Sequence, residues 1–257
     1  MGRRDTGRKG RGLRVLCYAG LIGIMLYSAF QLWLFYEEDQ RAAAGQRAVL
    51  PYKQVKGSED LKEGIQGNPS ICALQEKYPA VIGWLTIPNS RIDYPFVQGD
   101  DNVTYLSHDL DGRIQASGTI FMDYRNQPDF SDENTILYGH AMKNGSVFGD
   151  IERFRKKELW EGEIEGAVYL PDKTLRLQLL ACLLVTADDD VIYNPKIARE
   201  QLQEYIQRKA IHLNNQALTE EGQLLTLSTC AYDVEDGRLV LIGLLRGEEG
   251  QLNQNKS

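Results

Sequence analysis

The sequence predicts a mainly β fold with flanking helices, its strands closing as a barrel or packing as a sandwich. Three observations predict it. From Val81 onward the apolar residues fall in short, β-branched runs of strand length. Turn signals such as Pro88-Asn89 and Pro171-Asp172 separate those runs. One long helical pattern, residues 195–212, precedes the last two apolar runs. Many short strands in one domain read as a barrel or a sandwich. A barrel of about eight strands fills its interior with side chains, so a site belongs on its rim or outer face.

The chain begins differently. Of its 257 residues, those numbered 1–14 carry six Arg or Lys against one Asp, a net +5. The formal total is −7, so the remainder carries −12. An acidic body argues against nucleic acid as a partner, because phosphate binding needs a basic face. Residues 15–36 hold no Asp, Glu, Lys or Arg. About 20 apolar residues cross a bilayer core, and Tyr18, Trp33 and Tyr36 near the ends of the run suit the interface. Basic residues before the span and Glu37, Glu38 and Asp39 after it place the N-terminus in the cytoplasm. The rival, a cleaved signal peptide, has a shorter apolar region with a small-residue site close behind. The expected organisation is a basic cytoplasmic tail (1–14), a transmembrane anchor (15–36), a stalk or linker (37–69) and an extracellular domain (70–257).

Residues 37–54 are polar and alanine-rich and continue as a helix or stalk; residues 57–68 have loop composition. Residues 70–78, after Pro69, read as a short helix with Ile71, Leu74 and Tyr78 on one face. Strands follow at 81–87 and 92–97, the second carrying Pro95 and therefore expected at an edge or bulge. Residues 102–108 form a helical turn, and 118–122 and 134–138 are strands. Residues 147–160 have a charged helical pattern, and 167–170 and 175–186 are strands. In 195–212, Pro195 suits a first helical position, with Ile197, Leu202, Tyr205 and Ile206 at helical spacing. Strands at 224–230 and 238–245 close the domain.

Of four cysteines, Cys17 lies in the span, leaving an odd number outside, which disfavours a disulfide framework. No Cys/His cluster has zinc spacing, and no metal or other cofactor is expected. Cys182, within LLACLLV, reads as inert core, and Cys72 as a structural thiol on the apolar side of a short helix. Cys230 differs: Ser228-Thr229 precede it and the polar AYDVEDG follows, where a strand leaves for solvent. Arg238 opens the next run eight residues later, so a strand pair would set a guanidinium beside the thiol. His140 ends the run NTILYGH. His212 ends the predicted helix, where a cation suits the dipole, and His108 lies in a polar loop. Thiol, imidazole and guanidinium can serve as nucleophile, proton carrier and oxyanion stabiliser. Asp233, Glu235 and Asp236 are candidates to orient the His or the Arg.

TLSTC at residues 226–230, Arg238 downstream and ILYGH at residues 136–140 resemble the sortases, membrane-anchored cysteine transpeptidases of Gram-positive bacteria. GTIFMDYRN at 118–126, LYGHAMKNGSVFGDI at 137–151 and the helix before the Cys strand resemble class B. Ala231 and Tyr232 follow the Cys where pilus-type enzymes usually carry a Pro, and no lid motif is seen. The resemblance implies an eight-stranded sortase barrel with N-terminal helices. It implies surface-protein substrates with a C-terminal sorting signal of the NPxTN or (S/N)PxTG kind. Cys230 would attack the signal's Thr carbonyl, His140 would shuttle the proton, and Arg238 would bind the oxyanion. A peptidoglycan amine would resolve the thioester. Asn102, Leu106, Tyr138, Thr186 and Ser228, with the loop 188–193, would line the signal groove. Other readings are a pilus-subunit polymerase, another extracytoplasmic cysteine peptidase, or a non-enzymatic tethered assembly domain.

Overall fold

The computed structural model describes residues 6–53, 68–231 and 234–247. The chain divides into two compact units, Met1–Ala44 and Gly45–Ser257. A helix, α1 (Thr6–Val49), begins in the first. Its segment Leu16–Leu34 is long and apolar enough to cross a membrane, and its large side chains are exposed rather than packed.

The second unit is built on a closed sheet. In chain order it holds α2 (Pro69–Lys77), β1 (Val81–Thr86), β2 (Asp93–Gln98), β3 (Ile120–Met122), β4 (Asn134–Tyr138), β5 (Glu165–Tyr169), β6 (Thr174–Thr186), α3 (Arg199–Lys209), β7 (Ala210–Leu213), α4 (Asn215–Leu218), β8 (Gln223–Cys230) and β9 (Gly237–Gly247). The strand order is β5-β1-β2-β3-β4-β8-β9-β6, and pairing of β5 with β6 closes eight strands into a barrel. Strand β7 lies outside the ring on β6.

Two-residue alternation decides what fills the barrel. Leu137, Leu225, Leu227, Leu239 and Leu241 join the interior cluster with residues from every other barrel strand. The opposite face of β8 and β9, with Leu224, Val240, Ile242 and Leu244, packs against Leu202 and Ile206 of α3. A register shift in β6 between Leu179 and Ala181 lets Leu180 and Ala181 both face that outer layer. Cys182 returns to the interior, fully buried, and burial pushes its thiol pKa up to about 12. On the barrel's other side Ile71, Leu74 and Tyr78 bury against Val49, Val81 and Trp84. Lys53 pairs with Asp93, which also accepts from the Trp84 indole at 2.8 Å. Val49 and Lys53, placed by sequence in the stalk, thus pack on the barrel. Most of the loop expected at 57–68 lies outside the described residues. Its last member, Asn68, ties the start of α2 to the β5–β6 turn through Leu170 O at 2.6 Å.

Several expectations are corrected. Strand β2 is no edge: β1 pairs with it on one side and β3 on the other. Pro95 is tolerated because the β3 pairing begins only at Phe96. Residues 147–160 form 3-10 turns, Gly149–Arg155 and Lys157–Trp160, rather than an α-helix. The helix predicted from Pro195 starts at Arg199, because Asn194 bonds Lys196 N in a local turn and Ala198 is extended. It ends at Lys209, where the chain turns into β7. His212 is therefore a strand residue opposite Cys182, its ring bonded to Arg155 O at 2.8 Å, and no helix dipole acts on it. Cys72 is exposed rather than structural, since α2 buries Ile71 and Leu74 and turns position 72 outward.

The fully buried Asn134 links three segments. Its amide donates to Ile192 O at 3.0 Å and its oxygen accepts from the buried Thr226 hydroxyl at 2.7 Å. Asn134→Ala strands both partners and should cost about 1–3 kcal/mol in thermal unfolding. Adding Thr226→Val should recover part of that loss, because an apolar pair needs no partner; additive losses would show that the bond is not the cause.

Candidate active site

Three neighbouring strands end together. In the antiparallel β8–β9 pair, Cys230 is the register partner of Arg238. In the parallel β4–β8 pair, Tyr138 is opposite Ser228. The match continues past β4: Gly139 N donates to Ser228 O at 3.2 Å, and the Thr229 hydroxyl donates to Gly139 O at 2.7 Å. His140 follows directly and so comes alongside the end of β8. Positions 140, 230 and 238 thereby occupy adjoining strand ends. Leu225 and Leu227 point into the barrel, so alternation puts Ser228 and Cys230 on its outer wall.

Each side chain has a defined setting. The His140 Nε2 lies 2.7 Å from Leu106 O. A carbonyl only accepts, so Nε2 carries the hydrogen and Nδ1 is left as the other ring nitrogen. The His140 backbone is fixed by Phe148 N on its carbonyl at 3.0 Å. Arg238 donates from Nη1 to Gly237 O at 3.0 Å. Cys230 is half-buried, unlike Cys182.

The expected groove residues fall into three groups. Asn102 and Tyr138 meet on one carboxylate, Asp123: the Asn102 amide donates to its Oδ2 at 3.0 Å and the Tyr138 hydroxyl at 2.9 Å. Leu106 is exposed and touches the site through its carbonyl on His140. Thr186 is exposed at the end of β6 opposite Gly237, one strand beyond Arg238. Ser228 does not face solvent. It is 3% exposed, and its hydroxyl lies 2.9 Å from that of Tyr193, so a ligand would reach it only after Tyr193 moved. Burial pushes the Tyr193 phenol pKa up to about 12. The loop 188–193 is held by Asp189, which accepts from Val191 N, Ile192 N and the Tyr205 hydroxyl. Glu235 and Asp236 are exposed, and Asp233 lies outside the described residues.

Two residues escaped the sequence reading. Asp123 and Arg125 stand in the GTIFMDYRN stretch at 118–126, where nothing in the local pattern assigns them a role. Arg125 forks onto Asp123, Nε to Oδ1 at 2.9 Å and Nη2 to Oδ2 at 2.7 Å, while the Asp123 side chain has no exposed surface. Burial alone would raise the Asp123 pKa, but the hydrogen bonds from Arg125 and Tyr138 outweigh it and hold the carboxyl below its ordinary value. The only signal in the sequence is an acidic and a basic residue two apart after a strand, a pattern too common to read alone. Among the described residues no group of three His, Cys, Asp or Glu side chains gathers as a metal site.

An eight-stranded barrel whose last two strands pair a thiol with a guanidinium, beside an imidazole just past the end of the neighbouring strand, is the layout of a cysteine transpeptidase. The sortase-domain family model matches residues 85–246, and the chain belongs to the sortase family. A sortase B of Listeria monocytogenes is 28% identical over 88% of this chain and 93% of its own. A solved Streptococcus pyogenes class B sortase involved in pilus biogenesis is 31% identical, covering 68% of this chain and 97% of that one, with a TM-score of 0.62. A sortase B from a type II pilus of Streptococcus pneumoniae is 34% identical, covering 67% and 96%, with a TM-score of 0.58. These relatives make the resemblance one to class B.

Proposed function

We propose that this sortase cleaves an NPxTN- or (S/N)PxTG-type sorting signal after its Thr and transfers the acyl group to a peptidoglycan amine. The observation that carries the reading is the pairing of Cys230 with Arg238 in register, with His140 alongside. In the proposed reaction His140 enters protonated on both ring nitrogens beside a Cys230 thiolate; the thiolate attacks the Thr carbonyl carbon, and the carbonyl electron pair moves onto oxygen. Arg238 receives that oxyanion with guanidinium N–H donors. Collapse re-forms the carbonyl and expels the next residue's amine, which takes the proton from His140 Nδ1. A thioester remains on Cys230. An incoming amine attacks it, gives its proton to His140 and releases the thiolate. Asn102, Leu106, Tyr138, Thr186 and the loop 188–193 are the proposed groove. The apolar helix would anchor the chain with residues 1–14 in the cytoplasm and the barrel outside.

A second acceptor has specific support. The two pilus-associated class B sortases share 31% and 34% identity with this chain. In that reading the amine belongs to another surface subunit rather than to peptidoglycan.

The test uses the full chain in detergent with quenched-fluorescence peptides bearing NPATN or SPATG, with and without a stem-peptide amine. Acyl transfer predicts a covalent peptide adduct on Cys230 and an amide product that grows with amine concentration. Cleavage to the free acid at every amine concentration would make the enzyme a hydrolase. Transfer only to a pilin lysine would select the second reading.

A further inference from the structure

The Asp123 carboxylate is fully buried, and removing a carboxylate from water is costly unless it is paired. Its partners come from three separate segments. Arg125 supplies its side-chain fork and its backbone N–H at 2.9 Å, Tyr138 its hydroxyl, and Asn102 its amide. Each leads toward the strand ends described above. Asn102 also accepts from Tyr124 N at 3.1 Å and precedes the turn Thr104–Leu106, whose last carbonyl holds His140. Tyr138 lies two residues before His140 and packs its ring 6.0 Å from that of Tyr193. Arg125 Nη2 continues to Tyr193 O at 2.8 Å. The Tyr193 hydroxyl in turn meets Ser228, two residues before Cys230.

We propose that Asp123 and Arg125 are positioning residues for acyl transfer, their ion pair clamping the 102–106 turn and the 188–193 loop together into one preformed wall beside Cys230. The proposal rests on the reading of Cys230 as the nucleophile. A clamp of this kind acts through placement. It touches neither the thiol nor the imidazole, yet it fixes the segment that orients His140 and the segment that covers Ser228. Small misplacements of such a wall cost about 100-fold in rate. The Arg125 side chain is 43% exposed but its partner carboxylate is fully buried, so removing Arg125 costs stability as well as placement. Placement is told apart from stability by where the backbone loosens, since a loss of global stability loosens the whole barrel.

The experiment compares full-length wild type, Arg125→Gln, Arg125→Lys and Asp123→Asn in detergent. With the NPATN peptide and a stem-peptide amine, and at a temperature well below the variant's Tm, Arg125→Gln should lower kcat/KM about 10- to 100-fold, mainly through KM. Arg125→Lys, which keeps the charge but loses the fork, should recover only part. Hydrogen exchange supplies a readout that needs no turnover. In Arg125→Gln and Asp123→Asn, residues 102–108 and 188–194 should both exchange about tenfold faster or more, with β8 and β9 unchanged. Wild-type kinetics in Arg125→Gln, faster exchange in only one of the two segments, or loosening spread over the whole barrel would overturn the clamp. Should Asp123→Asn fail to fold, the half-exposed Arg125 decides alone. If wild type forms no peptide adduct at all, the transpeptidase chemistry fails, and exchange still judges the clamp.

Discussion

Cys230→Ala should abolish acyl transfer, lowering kcat by at least about 10⁴-fold, while leaving the barrel folded. The size of the effect follows from covalent catalysis. Without the sulfur no thioester can form, and neither an oxyanion donor nor a proton carrier can replace a missing nucleophile. The stability half follows from position. Cys230 is the last residue of β8, half-buried on the outer wall, so shortening it opens no cavity in the interior cluster. Cys72 is the matched control. It is exposed on α2, so Cys72→Ala should transfer at the wild-type rate. Intact-mass measurement after mixing with the sorting peptide checks both, with an adduct in wild type and Cys72→Ala and none in Cys230→Ala. Cleavage at an undiminished rate by Cys230→Ala would sink the nucleophile assignment.

Much of the site's placement was legible because strands carry their own ruler. A thiol ending one apolar run and a guanidinium opening the next meet whenever a hairpin forms, and β8 and β9 do pair Cys230 with Arg238. His140 was harder, since β4 pairs with β8 in parallel, across residues 139–222. Local pattern gave its strand, and only the family resemblance gave its neighbour. The misreadings share one cause, which is that periodicity does not report what an element packs against. The apolar spacing of residues 195–212 runs across the outer core residue Ile197, the helix α3 and the start of β7. Only the free edge of β6 decides that Ala210–Leu213 become strand. Cys72 is one position from Ile71 on a short helix, and a one-residue step of about 100° moved it from core to solvent. Pro95 signals an edge or a bulge in the sequence, yet β2 is interior, its register shift with β1 falls between Val81 and Gly83, and the short β3 reaches β2 only beyond Pro95. Asp123 was invisible for the opposite reason: its partners, residues 102, 125, 138 and through Arg125 residue 193, converge only in three dimensions.

His140→Ala should cost about 10²- to 10⁴-fold in kcat/KM, and the loss should depend on the leaving group. The backbone that carries His140 is held independently of the ring, by Phe148 N on its carbonyl and by the Gly139 contacts to β8, so truncation leaves Cys230 and Arg238 in register. What disappears is the proton for the departing amine. An amine expelled without a proton is a very poor leaving group, so acylation by a peptide amide should stall. A peptide thioester with the same sequence up to Thr departs as a thiolate and needs no proton. With that substrate His140→Ala should recover adduct formation on Cys230 to within about tenfold of wild type, since only general acid catalysis of the leaving group has been bypassed. Transfer from the adduct to a stem-peptide amine should remain slow, because the same ring must take a proton from the incoming nitrogen. If the variant were equally defective toward amide and thioester, His140 would be needed to make the thiolate or to shape the groove. The Leu106 carbonyl on Nε2 would then matter for holding the loop rather than for presenting Nδ1.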